Sequence, residues 1–271
     1  MTRITDWDDA YANRDHIPGA DAFIARWTED AAAFRAARPD AALDQSYGPA
    51  PRQRFDLFVP TGAPRGLVVF VHGGYWRAFD KSYWSHLAAG ALDHGWAVAM
   101  PSYTLAPQAT LAQIAVEIGQ AIGAAASRVA GPVHLAGHSA GGHLVTRMAC
   151  IDTPLPQEVA SRLALTLSIS GVHDLRPLLR TDINADLYLT PESAAAESPA
   201  LHMPRSGTRL IAWVGGAERP EFLRQTALIA NIWSGLGADT AHHIAPDRHH
   251  FDVIDGLRDP ASPLTRALLA L

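Results

Sequence analysis

The sequence predicts an α/β protein: a mostly parallel central sheet with helices on both faces and a small cap inserted late in the chain. Three observations predict it. Short unbroken apolar runs recur, among them LVVFV (67–71), PVHLAG (132–137) and LALTLSIS (163–170), and such runs suit strands buried on both faces. Longer segments with helical apolar spacing separate them, and strands alternating with helices imply βαβ units. Residues 172–206 instead hold short helical pieces and several prolines; a stretch that long fits an inserted cap or lid better than an ordinary loop. The 271 residues read as one domain (1–271), with residues 1–50 as an N-terminal helical arm and 172–206 as the cap segment. No internal repeat or low-complexity linker divides them.

Each element has a local reason. Residues 19–37 place Phe23, Trp27 and Phe34 roughly on one stripe of a helix. A Pro/Gly-rich stretch (47–53) follows, and RFDLFV (54–59) alternates like an edge strand. LVVFV (67–71) ends at HGG. Residues 80–94 look helical, and WAVAMP (96–101) looks like a strand. Residues 110–130 carry Leu111, Ile114, Ile118, Ile122 and Val129 at helical spacing, and Thr110 with Gln113 forms a capping box. Strand 132–137 leads into a helix from about 140 to 151. After strand 163–170 and the irregular segment comes strand 208–214. Pro220 suits a first helical position, and that helix runs to about Leu236, before Gly237. A last strand (239–245) and a closing helix complete the chain.

Composition narrows the function classes. Net charge is −5, with 48% apolar and 18% charged residues. This is a globular chain without the clustered Lys/Arg that nucleic acid or an anionic membrane would require. The single cysteine, Cys150, excludes an internal disulfide or a cysteine-built metal site, and ending an apolar helix it reads as a core residue. MTRITDWDDA has neither the basic end nor the apolar stretch of a signal peptide, and no run approaches a membrane span. The expected place is the cytoplasm, and the expected partner is a small molecule.

The motif that carries chemistry is Gly137-His138-Ser139-Ala140-Gly141-Gly142. It matches G-x-S-x-G and sits between a buried strand and a helix, where a sharp turn projects the serine hydroxyl above the sheet. His72-Gly73-Gly74-Tyr75-Trp76 directly follows strand 67–71. Acyl transfer needs amide donors aimed at the oxygen of the tetrahedral intermediate. The Gly73, Gly74 and Ala140 N–H groups are the natural donors for such an oxyanion hole, and Tyr75 and Trp76 are candidates for a substrate-binding wall. His138 and His143, beside the serine, read as local packing or hydrogen-bonding residues.

A nucleophilic serine needs a base, and the base an orienting acid, in the order Ser, acid, His. Glu218 lies just past strand 208–214 and before the helix at Pro220. By position it leads Asp174, which follows strand 163–170, and Glu221, whose place in a first helical turn suits the helix dipole. The base should follow the last strand, where His249 and His250 stand side by side; spacing does not choose between them. His242 and His243 fall within that strand, pointing to opposite faces. The histidines of 242–250 complete no zinc pattern, so neither metal nor cofactor is expected.

HGGYW, GHSAGG, VGGAERPEFLRQT and HHFDVIDGL, in this order, resemble the α/β-hydrolase superfamily, and within it the kynurenine formamidase-like (arylformamidase) serine hydrolases. YGPAPRQRFDLFVP, SYTLAP and SGVHDLRPL extend the resemblance over nearly the whole chain. It implies an α/β-hydrolase fold with catalytic Ser139, Glu218 and His250, since the family's catalytic histidine immediately precedes Phe. It also implies an oxyanion hole in the HGG segment. Glu218 departs from the Asp usual in animal formamidases. The implied reaction is hydrolysis of a small acyl ester or aryl formamide through an acyl-enzyme. The alternatives are a general carboxylesterase for small or aromatic esters and a non-catalytic binding protein on a hydrolase scaffold. For a formamidase, Arg77 and Arg176 are the nearest candidate partners of the substrate's polar end.

Overall fold

A computed structural model describes residues 4–271. Its strands are β1 (Ala42–Ser46), β2 (Arg54–Phe58), β3 (Leu67–Val71), β4 (Ala97–Pro101), β5 (Val133–His138), β6 (Leu163–Ile169), β7 (Arg209–Gly215) and β8 (Asp239–Ala245). They form one eight-stranded sheet in the order β1-β2-β4-β3-β5-β6-β7-β8. β2 pairs antiparallel with both β1 and β4, and every later pairing is parallel. The helices are α1 (Trp7–Tyr11), α2 (Ala20–Ala36), α3 (Ala89–Asp93), α4 (Leu111–Ala126), α5 (Ala140–Met148), α6 (Gln157–Ala160), α7 (Asn184–Leu187), α8 (Pro191–Ala196), α9 (Pro220–Gly235) and α10 (Pro263–Leu269).

The two-residue period of a strand divides the core between the faces. Leu67, Val69 and Val71 of β3 join α4 and α5 through Ile114, Ile118, Leu144 and Val145. Val68 and Phe70 join the other face, with Trp27 of α2, Leu92 of α3 and Leu268 of α10. β3, β4 and β5 are buried at every residue. The Thr110–Gln113 capping box is formed.

Three elements differ from expectation. Residues 42–46, within the segment expected as a helical arm, form β1, an edge strand with little burial. β2 is therefore not an edge strand: it lies between β1 and β4. Its polar residue Asp56 is fully buried, and its carboxylate takes Lys81 Nζ at 2.7 Å and Asp44 N–H at 2.8 Å. The alternation that suggested exposure hides a paired charge. Residues 80–94 are not one helix but two 3₁₀ turns (Lys81–Tyr83, Ser85–Ala88) and then α3. Trp84 interrupts the run with φ −122°, and its ring packs 4.7 Å from that of Trp27.

Between β6 and β7, the 172–206 segment holds two 3₁₀ turns, α7 and α8. Among the described residues no helix is long and apolar enough to cross a membrane.

Burial pushes His72, His86 and His143 down to about 4, and His173 down to about 3. Folded rings therefore stay neutral where unfolded ones, near 6.5, take up protons. This stability is complete above about pH 6.5 and is lost as pH falls toward 4, by up to ~1.4 kcal/mol per ring per pH unit. Carboxylates titrate little between pH 6.5 and 5. Urea midpoints should thus drop clearly from pH 7 to pH 5; equal midpoints would mean that these rings are charged in the fold.

Candidate active site

The carboxyl ends of β3, β5, β6, β7 and β8 bring the sequence motifs together. β5 ends at His138, and α5 begins at Ala140, so Ser139 takes the whole turn with φ 55° and ψ −118°. Positive φ is uncommon outside glycine and stores strain. A Cβ on Gly137 would stand 2.1 Å from Gly141 O, and one on Gly141 would stand 1.9 Å from Val71 O. The glycines flanking the serine leave room for nothing larger.

The loop after β3 lies against this turn: a Cβ on Gly73 would stand 2.9 Å from Ser139 Cβ. Among the described residues, neither the Gly73 nor the Gly74 N–H has an acceptor. Ala140 opens α5, and a first helical N–H has no acceptor within its own helix.

From the loops after β7 and β8 come Glu218 and His250, both buried. His250 Nδ1 lies 2.6 Å from Glu218 Oε2. Glu218 Oε1 accepts from Gly215 N–H at 2.8 Å and from Ser170 Oγ at 2.5 Å. His138 Nε2–H donates to the His250 carbonyl at 2.9 Å, and the two rings lie 4.6 Å apart. Burial, and then the neighbouring His250, hold His138 well below the usual histidine range, so it is neutral. Phe222 packs on the His250 ring at 4.6 Å.

Ser139, His138, His250, Gly73 and Gly74 share one cavity of about 380 Å³. No hydrogen bond joins Ser139 Oγ to His250 Nε2 in this arrangement, and neither atom is sealed from the cavity. Trp27, Tyr75, Phe79, Trp84 and Phe251 give the walls an aromatic character, and the N-terminal segment adds Asp8, Tyr11, Ala12, Asn13 and Arg14. Of 172–206, only Ile183 lines this cavity. The N-terminal segment thus lines the cavity with more residues than the 172–206 segment does. Tyr11 fixes it there: its hydroxyl donates to Glu221 Oε1 at 2.8 Å, and its carbonyl accepts from Tyr75 Oη at 2.5 Å.

The remaining candidates are engaged elsewhere. Trp76, expected as a substrate-binding wall, is fully buried in the core instead. Its indole N–H donates to His143 Nδ1 at 3.2 Å, which turns it away from the cavity that Tyr75 lines. Glu221 is held by Tyr11, Arg224 and Gln225. Asp174 pairs with Arg176 through both oxygens, and neither lines the cavity, whereas Arg77 lines it and pairs with Asp186. His249 Nδ1 accepts from the Phe251 and Asp252 N–H groups, and its ring meets Phe23. His243 stacks on Trp213. Ser170, Tyr11 and Asn13 went unread in the sequence. Ser170 and Tyr11 meet their partners 48 and 210 residues away, and no local pattern marks Asn13.

Comparison with known proteins agrees with this architecture. A sequence model described as the alpha/beta hydrolase family matches residues 68–270. The chain is similar to kynurenine formamidase of Salmo salar (28% identical over 84% of this chain and 81% of that protein). It is also similar to that of Danio rerio (26% over the same shares). The crystal structure of a "putative thioesterase" from Silicibacter sp. TM1040 is 49% identical and covers 97% of this chain and 99% of that one, with a TM-score of 0.94.

Tyr11→Phe should lower stability by about 1–2 kcal/mol, since a buried hydrogen bond to a charged group is lost while Glu221 keeps Arg224 and Gln225. Urea unfolding checks this; an unchanged midpoint would show that Tyr11 does not fasten the arm.

Proposed function

We infer that this chain, which belongs to the alpha/beta hydrolase family, is a serine hydrolase that cleaves small acyl esters or aryl formamides through an acyl-enzyme. The observation that carries the reading is the 2.6 Å contact between His250 Nδ1 and Glu218 Oε2, in one cavity with a serine on a strained turn. In this reading Ser139 Oγ attacks the carbonyl carbon, and His250 Nε2 takes its proton. Glu218 holds the Nδ1–H tautomer and stabilises the imidazolium that forms. The Gly73, Gly74 and Ala140 N–H groups receive the oxyanion, where one donor is typically worth ~100–1000-fold. His250 then protonates the leaving group, and water, activated by the same ring, releases the acid.

The cavity supports a compact substrate with an aromatic side. Its 380 Å³ is near the small end of ligand pockets, which run from about 300 to 1,000 Å³. Aromatic walls offer ring faces and edges to an aromatic leaving group. The names of the fish relatives favour an aryl formamide such as N-formylkynurenine. The name of the 49%-identical structure favours a second reading, as a general esterase that includes thioesters. We expect a cytoplasmic enzyme that needs neither metal nor cofactor.

Ser139→Ala should remove turnover; loss of a triad nucleophile costs up to about a million-fold in a protease. Glu218→Gln should fall by about 10⁴-fold, as when a triad acid loses its charge. His249→Ala and Glu221→Gln should stay within several-fold of the parent. Steady-state rates on p-nitrophenyl acetate check these four together with Asp174→Asn, and a collapse confined to Glu221→Gln or Asp174→Asn would relocate the acid.

The acyl preference follows from the small volume of the cavity. Formyl and acetyl groups should be cleaved faster than octanoyl. A p-nitrophenyl ester series, run beside N-formylkynurenine and an acetyl thioester, reads it. A rate climbing toward octanoyl would contradict the compact pocket, and turnover of thioester without formamide would select the second reading.

A further inference from the structure

We propose that Ser170 is a positioning residue for this reaction, acting through Glu218; the proposal rests on the reading of Glu218 as the acid. Ser170 directly follows β6 and is completely buried. It does not line the cavity, so it meets no substrate. Its hydroxyl donates to Glu218 Oε1 at 2.5 Å, where Gly215 N–H also donates at 2.8 Å. The other oxygen, Oε2, holds His250 Nδ1.

An ionised carboxylate only accepts hydrogen bonds, so each oxygen has its own task. Oε1 is fastened to the scaffold by two donors, one from the end of β7 and one from the turn after β6, and Oε2 is left to set the imidazole. Without the hydroxyl, Oε1 keeps the single donor from Gly215. The carboxylate can then turn about its last bond, and His250 loses its fixed direction.

The backbone shows what this position supplies. Ser170 has φ 52°, in the left-handed region, and is held there by its N–H, which donates to Trp213 O at 2.7 Å. Glycine takes this conformation without strain, whereas serine does not. The position suits glycine as backbone, so the hydroxyl is the part that serine adds.

Ser170→Gly tests the role, because it removes the hydroxyl while relieving the strain. The folded state should persist, because relief of the backbone strain offsets part of the lost hydrogen bond. kcat should fall about tenfold or more, as for a lost hydrogen bond to a charged group, with KM within about twofold. The downfield proton resonance of the His250–Glu218 hydrogen bond should shift or broaden. Ser170→Ala, which keeps Cβ, should show the same split between kcat and KM. Parental kcat and an unmoved resonance in both variants, beside a collapsed Glu218→Gln, would overturn the role of Ser170 alone. Parental activity in Glu218→Gln would overturn the acid reading itself.

Discussion

The arrangement turns on one buried carboxylate. The Glu218 side chain is fully enclosed, and an enclosed charge is costly unless donors surround it. Three reach it: Gly215 N–H from the end of β7, Ser170 Oγ after β6, and His250 Nδ1 after β8. Satisfying the carboxylate therefore ties together the loops of three adjacent parallel strands. Where those loops converge, β5 delivers Ser139 and the loop after β3 delivers the Gly73 and Gly74 amides. The parallel sheet matters to function because it puts all these carboxyl ends on one side.

The cavity is finished by a part of the chain remote from the sheet. Glu221, three residues beyond Glu218, receives the Tyr11 hydroxyl, and Arg219 reaches Asp9. Glu221 and Arg219 both lie in the stretch that follows Glu218. The N-terminal segment that lines the cavity and the stretch after Glu218 are fastened to each other. Aromatic residues from α2 and from the loop after β3, Trp27 and Phe79 among them, then make a wall of rings.

What the sequence revealed divides along physical lines. β3, β5 and the serine turn were legible because strands buried on both faces read as unbroken apolar runs, and glycines mark crowded turns. Glu218 was placed by its position after a late strand, and His250, rather than His249, by resemblance. β1 left little trace because ALDQS buries little. β2 read as an edge because Asp56 broke its apolar run, and the Lys81 ion pair with the Asp44 N–H makes that residue tolerable inside. Tyr75 and Trp76 could not be separated until their partners, Tyr11 and His143, were known. The place of the N-terminal segment at the cavity, like the contact of Ser170 with Glu218, depends on contacts between distant residues that no local pattern encodes.

The central claim is that Ser139 is a nucleophile activated by His250 and Glu218. Treating the protein with a fluorophosphonate and locating the adduct by peptide mass spectrometry tests it most directly, comparing the parent with His250→Ala. The account predicts a stoichiometric adduct on Ser139 in the parent, formed slower by orders of magnitude in His250→Ala. An adduct on another residue, or none in the folded parent, would contradict it.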